Sequence, residues 1–226
     1  MRTFVRLSYG IDEAAPLYPG TPPLEIRKIK EINKGDACNT FLITLSDHSG
    51  THIDMPRHFL NSGKSVKGSH APELVYKNPV IIDCPKRAGE IIEPGDLDGI
   101  SSVKNADALL VRTGFYKYRD SNAGVYCNEN PSLSPEAANR LRADLPNVKI
   151  FGIDSISISS KARREMGAEA HRILLADNGH GRGPVFILED LYLPSEMKKL
   201  DELLVFPVFD AEIGGSPCTV VGLIDD

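Results

Sequence analysis

The run Asp47-His48-Ser49-Gly50-Thr51-His52-Ile53-Asp54-Met55-Pro56-Arg57-His58-Phe59 restricts the local fold more than any other part of this chain. His48, His52 and Asp54 stand at i, i+4 and i+6. On an extended strand all three side chains leave from one face, because successive side chains alternate. A helix would bring the two imidazoles together but, at ~100° per residue, would carry Asp54 roughly 120° away from His48. Gly50, the β-branched Thr51 and Ile53, and Pro56 disfavour a helix as well. The run therefore reads as a strand, with Gly50 on the shared face leaving room between the imidazoles.

Imidazole nitrogen and carboxylate oxygen are the donors that hold zinc or a similar divalent ion, and three protein ligands leave a position open for water or substrate. Taken singly, a histidine on an apolar strand usually satisfies a core hydrogen bond and an aspartate near a proline usually forms a turn. Here half of the six histidines fall within eleven residues, in register with an acid, and that conjunction points to a metal site. His70 and His180 lie outside any such register and receive no role.

At 226 residues and 41% hydrophobic the chain can bury one good core. No linker, low-complexity tract or internal repeat divides it, so residues 1–226 read as a single domain. A net charge of -5 argues against nucleic acid as a partner, since phosphate binding needs a positive stripe. The short basic cluster Lys161, Arg163 and Arg164 precedes Glu165 and Glu169 and reads as a solvated helix face. Cys38, Cys84, Cys127 and Cys218 are scattered without a C-x-x-C pair, which fits a reducing compartment. The N-terminus lacks an apolar signal core, and no run approaches the ~20 apolar residues needed to span a bilayer. The expectation is a cytoplasmic protein with no membrane partner.

Strand-like segments dominate the first half: Phe4 to Leu7, Leu24 to Ile32, Cys38 to Leu45 leading into the histidine run, Val80 to Cys84 and Ala108 to Arg112. Ser134-Pro135-Glu136 opens a helix with an N-cap and a proline in the first turn, and Pro146 ends it. Lys149 to Ile153 is a short apolar strand, after which Ser160 caps a second helix running to about Leu175. In that helix His171 shares a face with Ala168, Leu174 and Leu175, so it points inward. Val185, Ile187 and Glu189 alternate along the next strand and place a carboxylate at its buried end. An unpaired buried carboxylate costs several kcal/mol, so Glu189 must meet a cation, a donor or a metal; pairing of His171 with Glu189 or with backbone is an equally open reading. Strands at Leu204 to Phe209 and Thr219 to Ile224 complete a mixed α/β pattern with helices on one face of a mixed sheet.

The run from His48 to Phe59 resembles the H-x-G-T-H-x-D-x-P-x-H signature of the putative cyclase family, which includes bacterial kynurenine formamidases and isatin hydrolases. The likeness extends to Leu17-Tyr18-Pro19-Gly20, Val111-Arg112-Thr113-Gly114, Gly152-Ile153-Asp154-Ser155, Ala170-His171-Arg172-Ile173-Leu174-Leu175, Ile187-Leu188-Glu189 and Gly215-Ser216-Pro217. The resemblance implies a swivelling β/β/α domain, and an amide or formamide hydrolase of the arylformamidase kind, as in tryptophan catabolism. It implies one zinc on His48, His52 and Asp54, a second ion helped by His171 and Glu189, and His58 as general acid/base; manganese in place of zinc belongs to the alternative, a cyclic amide hydrolase. Tyr18 would stack on an aromatic substrate, a small-molecule amide. Homodimers or homotetramers are implied too. A third alternative is a non-catalytic metal-binding or small-molecule-binding protein of the same fold.

Two departures fall near where substrate would bind. Tyr18-Pro19-Gly20-Thr21 stands where the formamidases carry W-P-G-D, and Asn178-Gly179-His180-Gly181-Arg182-Gly183 lengthens the stretch between His171 and Glu189. The glycine-rich insert follows a helix and precedes a strand, the reverse of a phosphate loop, and reads as a connection.

Overall fold

The computed structural model describes residues 1–69, 71–177, 182–197 and 199–225. His70, His180 and the first four residues of the glycine-rich insert lie outside the described residues. The strands are β1 (Arg2–Arg6), β2 (Glu25–Lys30), β3 (Thr40–Thr44), β4 (His52–Asp54), β5 (Val75–Tyr76), β6 (Pro79–Asp83) and β7 (Ile91–Ile92). They continue as β8 (Ala108–Arg112), β9 (Ser132–Leu133), β10 (Ile150–Ile153), β11 (Phe186–Glu189), β12 (Glu202–Pro207) and β13 (Gly215–Asp225). The α-helices are α1 (Tyr118–Ser121), α2 (Ala123–Asn128), α3 (Pro135–Asp144) and α4 (Arg164–Leu175).

One mixed sheet runs β5-β12-β13-β4-β11-β10-β8-β6, with β1 added along β13. From β6 to β11 neighbours are parallel, and from β11 onward they are antiparallel. The parallel half is apolar on both faces, as strands covered on both sides must be: all five residues of β8 are buried. Leu109, Val111, Phe151, Ile153 and Ile187 face one core with Ala137, Leu141, Ala170 and Leu174 of α3 and α4. The alternate residues Ala108, Leu110, Ile150 and Leu188 face a second core shared with Leu203, Val205 and Val220. The sheet thus curls so that its antiparallel part covers the face the helices leave open.

Local signals explain the helices. The Ser134 hydroxyl accepts from the Ala137 N–H with Pro135 in the first turn, as the sequence predicts. Ser160 differs: a 3-10 turn at Lys161–Arg163 intervenes before α4, and Ser160 stands at the head of that turn without a capping hydrogen bond.

The strand predicted over the whole histidine run is shorter than expected. Only His52–Asp54 pair as β4, while residues 46 to 49 form a turn closed by Ser49 N–H to the Ser46 carbonyl. Gly50 is the reason, since its φ of 63° is a left-handed conformation open chiefly to glycine. Its missing side chain also faces Ile11, where a Cβ would stand 2.7 Å from Cγ1, and not the gap between imidazoles. The hairpin β2–β3 is a separate two-stranded sheet with every residue exposed on both strands.

Candidate metal centre

β4 lies between β11 and β13, and its register sets the site. His52 is the cross-strand partner of Glu189, and Asp54 that of both Ile187 and Gly215. Cross-strand partners share a face, so His52, Asp54 and Glu189 all project towards α4. From that helix His171 projects back, buried, as its spacing with Leu174 and Leu175 predicts. His48 comes in from the turn and needs the space above Gly215, where a Cβ would stand 2.5 Å from His48 Cε1.

Asp54 is the centre of the cluster and is wholly buried. His48 Nδ1 and His52 Nε2 lie 2.9 and 3.5 Å from its Oδ1, and His171 Nε2 lies 3.5 Å from its Oδ2. Despite this closeness, neither oxygen receives a well-aligned hydrogen bond among the described residues. Glu189 completes the ring, with Oε2 3.4 Å from His52 Nε2 and Oε1 3.3 Å from His171 Nε2. Its Oε1 also accepts from the Ser157 hydroxyl (2.9 Å) and the Ile158 N–H (2.7 Å).

The tautomers suit metal binding. His52 Nδ1 lies 2.8 Å from the Gly50 carbonyl and His171 Nδ1 2.7 Å from that of Gly167, so each donates a proton there and aims Nε2 at the carboxylates, where a cation would replace the second proton. A buried carboxylate with no aligned donor among the described residues, with imidazole Nε2 atoms aimed at it, has the chemistry of a donor set for a divalent cation. Ligand atoms of His48, Asp54 and His58, and those of His52, Asp54 and Glu189, each lie within 4.8 Å of one another. The two ligand groups separated in the sequence reading therefore form one cluster that shares Asp54.

Burial alone lowers an imidazole's pKa, but the Glu189 and Asp54 carboxylates outweigh it and raise His52 to about 9 and His171 to about 10. Burial likewise pushes Asp54 and Glu189 up, and the surrounding imidazoles hold both below the usual carboxylate range. In chelator-treated protein these ion pairs stabilise the fold fully below the unfolded histidine value of 6.5 and lose that effect as pH rises to about 9 and 10. A metal needs the same nitrogens deprotonated, so its affinity rises over that window. The melting temperature with chelator should fall from pH 6.5 to 10, and the increment added by zinc should grow. An increment independent of pH would place the ion elsewhere.

His58 ends a 3-10 turn begun by Pro56, and its ring stacks obliquely on His48 with centroids 4.0 Å apart. The protein crowded against its inner edge and the charge of His48 and His171 lower its pKa, with Asp54 opposing. Its outer part meets solvent, so the depression is smaller than a wholly buried imidazole would suffer. Phe59 stacks on His171 at 4.6 Å. A cavity of 340 Å³ opens on the cluster, walled by Tyr18, Phe59, Ile156 and Ala168. Tyr18 is presented by a Pro19-Gly20 turn, closed by Thr21 N–H to the Tyr18 carbonyl, with Gly20 at a φ of 103°. A larger recess of 710 Å³ near Arg142, Lys149 and Phe186 contains none of the clustered residues.

Sequence reasoning missed Arg164. Instead of pairing along a solvated helix face it lines the cavity and donates weakly to the Pro19 carbonyl at 3.5 Å. No short-range spacing connects it to Pro19, 145 residues away. The Thr-Gly and Asp-Ser motifs prove to be structural: Asp154 accepts from the Thr113 hydroxyl and from the N–H groups of Thr113 and Gly114.

The chain belongs to the putative cyclase family, whose pattern matches residues 5–160. A kynurenine formamidase of Geobacillus thermodenitrificans is 28% identical over 221 residues, covering 96% of this chain and 95% of that enzyme. An uncharacterized protein of Haemophilus influenzae is 32% identical over 124 residues, 54% of this chain and 87% of its own length. The fold is shared with isatin hydrolase A from Labrenzia aggregata at a TM-score of 0.79 and 23% identity, covering 100% of this chain and 94% of that one. A potential metal-dependent hydrolase with cyclase activity aligns at a TM-score of 0.78 and 20% identity, covering 100% of both chains.

Proposed function

We propose that this protein is a metal-dependent hydrolase that cleaves a small amide or formamide, closest in activity to an arylformamidase. The observation that carries the reading is Asp54, a buried carboxylate with no aligned donor among the described residues, ringed by His48, His52, His171 and Glu189. The kynurenine formamidase likeness over 96% of the chain supports the reaction class. Those five residues would hold zinc first, with manganese as the alternative. A divalent ion there would supply Lewis acidity, making hydroxide available near neutral pH and polarising a carbonyl oxygen.

The chain's own groups do the rest. A lowered pKa keeps His58 neutral at pH 7, ready to accept a proton at a ring nitrogen and return it to the departing amine. Tyr18 and Phe59 offer aromatic walls to a planar substrate, and Arg164 gives the mouth a positive charge. Elemental analysis of protein purified without chelator, followed by assays of formanilides against cyclic imides and lactams before and after metal replacement, tests the reading. A metal-loaded protein inert on the whole panel would make it a binding protein instead.

The working unit in this proposal is a homo-oligomer. Ile26, Ile29, Phe41, Leu42 and Ile43 on the hairpin β2–β3 are exposed, and a two-stranded hairpin is marginal alone in water. The hairpin springs from the cavity rim, since Thr21 and Ser46 on either side of it line the cavity. Its strand β2 is basic, with Arg27, Lys28 and Lys30 against Glu25, whereas the whole chain carries -5. A second copy of this net acidic chain is the cover proposed for the hairpin. Light scattering should give at least a dimer for the wild type and a monomer for the triple variant Ile26→Ser, Phe41→Ser, Ile43→Ser. A monomeric wild type would refute the assembly.

A further inference from the structure

Immediately after Glu189 the chain turns through Asp190, the one non-glycine residue with a positive φ, 54°, among the described residues. Aspartate visits this region more readily than most residues with a Cβ, and buried contacts can lock it there. Here they do. The Asp190 carboxylate is fully buried and accepts from Arg119 Nε at 2.8 Å on Oδ1 and from the guanidinium NH2 at 3.0 Å on Oδ2, while the Tyr126 hydroxyl donates to Oδ1 at 2.5 Å. Arg119 is buried in turn, its guanidinium 3.8 Å above the Tyr9 ring.

The backbone of Asp190 is held on two sides, one of them next to the cluster. Its carbonyl accepts from the Thr51 hydroxyl at 2.5 Å, and its N–H donates to the Ser155 carbonyl at 2.8 Å. Thr51 also accepts from the Tyr9 N–H at 3.0 Å and, through its carbonyl, from the Cys218 N–H at 2.9 Å. Thr51 directly precedes His52, Asp190 directly follows Glu189, and His52 and Glu189 are cross-strand partners. The ion pair thus clamps the strand ends from which two inward-facing members of the cluster project.

A buried ion pair is a weak source of net stability, because desolvation offsets most of the attraction. Its place next to Glu189 gives it a different use. We propose that Arg119 and Asp190, locked by Tyr126 and Thr51, are positioning residues that fix the His52 and Glu189 side chains for a divalent ion. This rests on the reading of the cluster as a metal site.

Cobalt(II) titration of chelator-treated full-length protein tests it, with affinity and the visible absorption band as readouts. Asp190→Ala and Arg119→Gln should bind cobalt about 10–100-fold more weakly, the usual effect of losing a partner that orients ligands, and should shift the band. Arg119→Lys should recover part of the affinity. Asp190→Asn keeps a residue that tolerates the left-handed turn, and Tyr126→Phe removes one hydroxyl, so both should fold and show smaller losses. Folded variants with wild-type cobalt affinity and band, even at a lower melting temperature, would reduce the pair to a structural role and overturn the inference. A wild type that takes up neither cobalt nor zinc would instead overturn the metal reading beneath it.

Discussion

Replacing His48 or His52 with alanine is expected to remove bound metal and activity together. Each imidazole stands within 3.5 Å of Asp54, and losing either leaves that buried carboxylate with fewer partners. The loss of affinity should exceed the roughly 10–100-fold that an outer partner contributes, because a coordinating atom itself is gone. His171→Ala and Glu189→Gln should lower the metal-to-protein ratio with the fold retained. Glu189→Gln keeps an acceptor for the Ser157 hydroxyl and the Ile158 N–H, while its charge and one candidate ligand oxygen are withdrawn. Elemental analysis of each variant after gel filtration measures the effect. A normal metal content in His52→Ala would sink the assignment, and a normal content in Glu189→Gln alone would move that residue to an orienting role.

The separate parts of this site differ in how far local spacing reveals them. His52 and Asp54 share a face by strand alternation, His171 points inward by helical spacing, and Glu189 ends an alternating apolar strand; periods of 2 and 3.6 are all those inferences need. That they meet around Asp54 is a tertiary fact, and only the family resemblance brings the two groups together in the sequence. The route of His48 departs from the strand expectation because a glycine inside an extended pattern can also be a left-handed turn, and Gly50 is one. The space attributed to Gly50 belongs to Gly215, brought alongside by the pairing of β13 with β4. Arg119 and Asp190 escape sequence reasoning altogether, since 71 residues separate them and a lone arginine or aspartate is usually exposed. The hairpin strands were legible and their exposure was not, because alternation fixes which residues share a face but not what covers it.

His58→Ala should keep the metal and lose most of the turnover. His58 is the exposed member of the cluster, at the cavity mouth, and its main-chain N–H bonds to the Met55 carbonyl whatever the side chain. Removing the imidazole therefore spares the turn and the buried carboxylates, and takes away a neutral nitrogen within 4.8 Å of the ligand atoms of His48 and Asp54. General acid/base groups contribute about 10²–10⁴-fold, or roughly 3 to 5 kcal/mol of barrier. The same closeness allows a rival role as a further ligand, and metal content separates the two. If His58→Ala loses metal, His58 is a ligand; if it stays metal-loaded and turns over within a few-fold of the wild type, the imidazole only closes the turn before Phe59. Full metal occupancy with turnover down by at least 10²-fold, recovered in part by added imidazole, is the result that proton transfer requires.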